Sequence, residues 1–186
     1  MKRIFDLFMV VILFLLLILP MLIIAISVRV TSKGPVLYWS DRVGQYNAIF
    51  RMPKFRSMQL DTPTIATHLM TEAEMFLTPI GRFLRISSLD ELPQLYSILK
   101  GDMSFVGPRP ALFNQKDLIM QRIDKGVDKL LPGATGWAQV NGRDVLSIKE
   151  KVAFDLEYVK RQSFWFDLKI LWMTLLKVLK QDNVSH

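Results

Sequence analysis

The residues best placed for chemistry gather in one stretch, "RISSLDELPQLYSILKGDMSFVGPRP", from Arg85 to Pro110. Asp90 and Glu91 stand side by side ahead of an apolar, helix-like run, and the stretch closes on a Gly-Pro-Arg-Pro turn. Pro93 constrains this geometry. Its missing N–H is tolerated in the first turn of a helix, which puts the helix start near Asp90. Two readings are open. In one, Asp90 caps the helix, or Ser88 to Glu91 form a capping box, and Glu91 complements the helix dipole. In the other, the pair carries a reaction, because a helix N-terminus favours an ionised carboxylate and attracts phosphate oxygens. An Asp that attacks phosphorus to form an acyl phosphate has chemical precedent. Such an attack brings two anions together, so the site must supply positive charge. Arg85, Arg109, Arg143, Lys54 and Arg56 lie in polar, turn-rich stretches and are the candidates. A divalent ion held by one carboxylate would supply the rest. Neighbours on a helix point about 100° apart, so the two acids would have different tasks.

Composition removes the main competing chemistries. The 186 residues contain no cysteine, which excludes disulfides, thiolate nucleophiles and cysteine-bound zinc. The two histidines are His68 and the C-terminal His186, so neither a Ser-His-Asp triad nor a histidine-rich metal site is expected. Any metal should be a hard ion such as Mg²⁺, held by oxygen ligands. The net charge of +7 beside 51% hydrophobic residues suits an anionic membrane surface or a phosphorylated substrate. No nucleic-acid recognition motif is present.

The elements that must position these residues begin with an apolar run from Leu7 to Ile26, interrupted by Pro20. It has about the ~20 residues needed to cross a bilayer as a helix. Lys2 and Arg3 make it resemble a signal peptide, but its core is too long and contains a proline. Basic residues flank both ends, Lys2 and Arg3 on one side and Arg29 and Lys33 on the other, which argues that both ends stay in the cytoplasm. A helix broken at Pro20 satisfies this by entering the membrane and returning to the same face, with a tilted simple span as the alternative. The chain therefore divides into a membrane helix over residues 1–33 and a catalytic domain over 34–186.

Beyond Lys33, apolar patches at Val36 to Trp39 and Ala48 to Met52 surround a polar turn with Gly44 and predict a β-hairpin. The segment from Leu77 to Gly101 reads as a helix in two pieces, the second stopped by Gly101. A polar helix is expected around Ala111 to Ile123, a Gly-rich structured loop around "LLPGATGWAQVNGRD", and a helix from Ile148 to Arg161. In the last helix Asp167, Lys169, Thr174, Lys177 and Lys180 share one arc, and Phe164, Leu168, Leu171, Trp172, Leu175 and Leu179 share the other. That pattern suits a helix lying in the membrane interface, or one facing a core. The fold class is α-rich α+β: a re-entrant membrane helix, interfacial amphipathic helices and a small β-hairpin.

Together, "KRIFD", "FRMPKFRSM", "SLDELPQL", "LKGDMSFVGPRP", "PGATGWAQVNGR" and the closing "FWFDLKILWMTLLKVL" resemble the bacterial sugar transferases, the small monotopic polyprenol-phosphate phosphoglycosyl transferases. The resemblance covers nearly the whole chain. It implies transfer of a sugar 1-phosphate from a UDP-sugar to undecaprenyl phosphate, with release of UMP, at the cytoplasmic face of a bacterial inner membrane. It implies Asp90 as nucleophile in a ping-pong scheme, Asp90 and Glu91 as the catalytic dyad, and Mg²⁺ at the site on Asp90. Arg85 and Arg109 fall in matched motifs and take phosphate. Arg143 takes the nucleotide or sugar, and Lys54 and Arg56 meet substrate or lipid headgroups. Membrane lipids and downstream glycosyltransferases are the further partners. Similarity to small glycoprotein-pathway members points to an N-acetylated amino sugar. One residue departs from the pattern: Leu19 stands where family members often have Ser before the helix-breaking proline. Two other functions compete, a non-catalytic basic scaffold anchored to anionic lipid or a partner protein, and a lipid-phosphate phosphatase.

Overall fold

The computed structural model describes residues 1–62, 73–142 and 145–180. Helix α1 (Lys2–Thr31) is 30 residues of almost unbroken Leu, Ile, Val and Phe, about 45 Å long at 1.5 Å per residue. It contains Pro20, and helical structure continues on both sides. The expected break is not a gap in the helix: the ring removes one backbone donor, which permits a bend at Pro20 while helical structure continues. By length and composition α1 is able to cross a membrane, and only 11% of its most apolar stretch is buried, unlike the core helix of a soluble domain.

One stripe of α1 docks on the rest of the chain. Val10 packs with Phe50, Met52, Leu95, Ile98 and Met103, and Ile24 and Val28 pack with Phe55 and Leu84. Leu13, Phe14, Leu17, Met21 and Ala25 continue the stripe at helical spacing. The other side leaves Ile4, Phe8, Val11, Leu15, Leu22 and Ile26 exposed. Both ends are tied to the same folded body. Lys2 pairs with Asp167 and donates to the Tyr158 hydroxyl, Arg3 donates to the carbonyls of Ile98 and Leu99, and Val28 is fully buried.

The hairpin forms as expected. Strands β1 (Leu37–Val43) and β2 (Ile49–Phe55) pair antiparallel, with Tyr38 opposite Lys54 and Arg42 opposite Phe50. The Leu77–Gly101 segment holds two helices, α2 (Gly81–Ile86) and α3 (Gln94–Lys100), separated by a turn. Gly101 ends α3 at φ 102°, a left-handed position that glycine reaches without a Cβ penalty. Strand β3 (Ser104–Val106) pairs in parallel with β4 (Gly133–Thr135) from the Gly-rich stretch. The glycines there permit close approach of two backbones: a Cβ on Gly133 would lie 2.1 Å from the Gly107 nitrogen, and one on Gly136 2.0 Å from the Gly107 carbonyl oxygen.

Helix α4 (Lys116–Asp124) starts later than the sequence predicts, because the Gln115 side chain folds back to accept from the Leu112 N–H. A short α5 (Trp137–Val140) follows β4. Helix α6 (Ile148–Arg161) has the expected bounds and opens with a capping box between Ser147 and Glu150. The last helix, α7 (Phe164–Lys180), turns Asp167 and Thr174 towards the folded body. Asp167, Ile170 and Phe166 are buried, and Thr174 bonds Thr135. Phe164, Trp165, Trp172, Leu175, Leu176 and Val178 are exposed. The polar groups find partners inside, which leaves aromatic and aliphatic side chains pointing outward, as an interfacial helix requires.

Candidate active site

Asp90 and Glu91 lie in a single 3-10 turn, Leu89–Glu91, between α2 and α3. Ser88 precedes them at φ 56°, ψ 16°, a left-handed conformation that costs energy for a non-glycine residue and recurs at functional sites. No side chain caps this turn or α3. The capping readings of Asp90 and Ser88 are therefore corrected, since Pro93 itself holds the N-cap position of α3 and the acids lie one turn before it.

The two carboxylates differ in surroundings. Glu91 Oε1 accepts from Lys54 Nζ at 2.7 Å and from Arg109 Nη2 at 3.1 Å. Asp90 is only 8% exposed, and among the described residues its carboxylate makes no hydrogen bond or ion pair. Burial pushes the Asp90 pKa above the usual carboxylate range and Glu91 adds to this, while Lys54, Arg85 and Arg109 pull the other way. A buried carboxylate without a direct partner is costly to keep, and such groups concentrate at functional sites.

Of the sequence-predicted residues, Asp90, Glu91, Lys54, Arg85 and Arg109 come together. Lys54 reaches the site from β2, and Arg109 from the loop after β3. Arg85, in the last turn of α2, donates to Met58 Sδ at 3.1 Å and lies within electrostatic reach of Asp90. Arg56 does not join them. It is 3% exposed and donates to the carbonyls of Ser32 and Lys33 and to Ser32 Oγ. It staples the chain after α1, so its role as a substrate or headgroup contact is corrected. Arg143 and His68 lie outside the described residues.

One cation was missed. Arg42 donates through Nε to Ser40 Oγ at 3.0 Å and through Nη1 to the Pro110 carbonyl at 3.2 Å. Its pKa is lowered to about 10, by burial first and then by the charge of Arg109, with Glu91 opposing. Two guanidinium groups and Lys54 thus share the neighbourhood of Glu91, a positive surplus suited to an anionic ligand. The signal was in the hairpin: the register puts Arg42 on the same face as Lys54, a relation that a linear scan for basic clusters does not reveal.

The donor set fits Mg²⁺ of the kind that arrives with a phosphate substrate. Asp90 offers hard oxygen atoms that no hydrogen bond engages among the described residues, whereas Glu91 Oε1 is already used by two cations. Among the described residues no group of three or more metal-ligating side chains occurs, so an all-protein cage is not available there. Mg²⁺ commonly binds through one or two carboxylates, substrate phosphates and water.

Buried Asp90 and partly exposed Glu91 thus stand among Lys54, Arg85, Arg109 and Arg42, a cationic setting that suits an anionic ligand. The family model described as bacterial sugar transferase matches residues 1–181, and the chain belongs to that family. It is 42% identical over 173 residues to the UDP-glucose:undecaprenyl-phosphate glucose-1-phosphate transferase of Escherichia coli (strain K12), covering 89% of this chain and 37% of that protein. It is 37% identical over 201 residues to the undecaprenyl-phosphate galactose phosphotransferase of Salmonella typhimurium, covering 98% of this chain and 41% of that one. The uncharacterized sugar transferase EpsL of Bacillus subtilis is 38% identical over 185 residues, covering 100% of this chain and 90% of EpsL. The chain thus spans well under half the length of the two named phosphotransferases and nearly all of EpsL.

Proposed function

We propose that this protein is an enzyme that transfers a sugar 1-phosphate from a UDP-sugar to undecaprenyl phosphate, releasing UMP. The observation that carries this reading is Asp90: buried, without a hydrogen bond to its carboxylate among the described residues, and surrounded by Lys54, Arg85 and Arg109. A carboxylate that is not engaged by its neighbours is available to a substrate phosphorus, and the cations offset the charge that develops.

In the first half-reaction an Asp90 oxygen attacks the β-phosphorus of the donor. A new P–O bond forms, the bond from that phosphorus to the bridging oxygen breaks, and UMP leaves with the electron pair. In the second, a phosphate oxygen of undecaprenyl phosphate attacks the same phosphorus. The bond to Asp90 breaks, the carboxylate is restored, and the diphosphate-linked sugar lipid departs. Glu91 orients Lys54 and Arg109 towards the phosphate oxygens, and Arg85 adds charge on the side of α2. Mg²⁺ held by Asp90 together with the donor diphosphate would neutralise part of its negative charge.

The reaction belongs at the cytoplasmic face of the inner membrane, with α1 re-entrant. Both ends of α1 are tied to one folded body, through Lys2 and Arg3 at one end and Val28 at the other. A simple span would carry those ends to opposite sides of a hydrocarbon core about 30 Å thick. The exposed side of α1 and the outward aromatics of α7 supply contacts to membrane lipids, and the sugar lipid is the substrate of downstream glycosyltransferases. The donor sugar is proposed to be an N-acetylated amino sugar. Because the named relatives are glucose and galactose enzymes, UDP-glucose and UDP-galactose stand beside the N-acetylated donors in the test.

The test is UMP release from this donor panel, with undecaprenyl phosphate and Mg²⁺, by wild type and Asp90→Asn. With donor alone, wild type should gain the mass of one phosphosugar on the peptide containing Asp90. No release from any donor would leave the membrane scaffold as the better account.

A further inference from the structure

Arg109 reaches Glu91 from a loop, so its backbone must be held for the guanidinium to stay in place. Three successive carbonyls of that loop are engaged. Pro108 accepts from the Gly133 N–H at 2.9 Å, Arg109 from Arg122 Nη1 at 2.8 Å, and Pro110 from Arg42 Nη1 at 3.2 Å. The middle tie has support of its own. Arg122, in the last turn of α4, donates through Nε and Nη2 to Asp155 Oδ2 on α6, at 2.9 and 2.7 Å. Asp155 is 1% exposed, and 12% of the Arg122 side chain is exposed.

A buried ion pair of this kind is weak evidence for stability, because apolar residues of similar volume often do as well in its place. Its geometry is what an apolar pair lacks, since the same guanidinium also turns an Nη1 N–H to the Arg109 carbonyl. We infer that Arg122 and Asp155 are positioning residues for the transfer, an ion pair between α4 and α6 that fixes the backbone of Arg109 so that its guanidinium meets Glu91 and the donor phosphate. This rests on the transferase reading above. Neither residue touches the reacting atoms, and both act through Arg109.

The experiment uses two variants of the full chain in detergent micelles, each also combined with Arg109→Ala. Arg122→Lys keeps a charge against Asp155, but one ammonium does not span both Asp155 and the Arg109 carbonyl. The pair Arg122→Met with Asp155→Leu removes both charges and leaves no buried ion unpaired. Both are expected to unfold close to the wild-type temperature and to lose about 10- to 100-fold in kcat/KM for the UDP-sugar, the scale of a displaced catalytic group. In the Arg109→Ala background neither should cost more than about a further twofold, because a positioning residue has nothing left to position. Near-wild-type turnover in both variants overturns the inference. So does a loss that multiplies with that of Arg109→Ala, which marks general loosening of the fold. If wild type releases no UMP from any donor, the transferase reading fails first and the inference falls with it.

Discussion

Asp90 and Asp155 are both buried carboxylates whose pKa values burial pushes upward. They are served in opposite ways. Asp155 receives two hydrogen bonds from a single guanidinium, in an ion pair that joins two helices. Asp90 receives none among the described residues, although Lys54, Arg85 and Arg109 all act on it electrostatically. Two acids of one type can thus be architecture in one place and a reactive group in another. What separates them is whether the neighbouring cations are spent on the acid itself. Around Asp90, Glu91 holds Lys54 and Arg109 and Met58 Sδ takes Arg85, which keeps the acid open to a ligand.

The sharpest test of this contrast is Asp90→Asn, which should reduce UMP release on the order of 10³-fold or more, as loss of a nucleophile does. Its effect on stability should be the reverse of damage. A raised folded-state pKa means that ionisation of Asp90 works against the fold, and that cost appears as pH rises through the folded pKa. At neutral pH the amide removes it, so thermal unfolding should occur at or above the wild-type temperature. A variant melting well below wild type would break the contrast, because Asp90 would then be structural.

Glu91→Gln should cost about 10²-fold in turnover, by removing the charge that holds Lys54 and Arg109. A near-normal rate would reduce Glu91 to a residue of the turn. Asp155→Asn should cost stability besides any loss of turnover, about 3–5 kcal/mol in denaturant unfolding, because Arg122 is left buried and unpaired. A loss below about 1 kcal/mol, the scale of an exposed pair, would remove the architectural half of the comparison.

Arg42→Gln should raise the donor KM by about tenfold, equivalent to ~1.4 kcal/mol, with a smaller change in kcat. An unchanged KM would restrict Arg42 to tying the Pro110 carbonyl. The smallest effect is in the pH profile. Asp90 must be ionised to attack, and its pKa lies above the usual carboxylate value, so kcat/KM should begin to fall with decreasing pH well above about 3.9. A profile flat down to that range would mean that the cations outweigh burial in the working enzyme.

The sequence by itself determined a good deal. The hairpin, the division of the Leu77–Gly101 segment, the stop at Gly101 and the bounds of α6 follow from local rules: β-prone apolar patches around a polar turn, a proline where a helix opens, a glycine after the last turn. Asp90, Glu91, Arg85 and Arg109 were legible for the same reason, since they stand within one short stretch whose turn chemistry is readable. The length and apolarity of α1 were equally plain.

Tertiary structure decided what depends on residues far apart in the chain. Arg42 and Lys54 meet the dyad through strand register, 37 residues separating Lys54 from Glu91. Arg56, one strand position from Phe55, turns instead to the carbonyls after α1. The polar arc of α7 faces inward because Asp167 and Thr174 find partners in Tyr158, Lys2 and Thr135, none of them on α7. Whether a charge is spent or free is a property of what surrounds it. Local sequence supplies the charge, and packing across the fold supplies or withholds the partner.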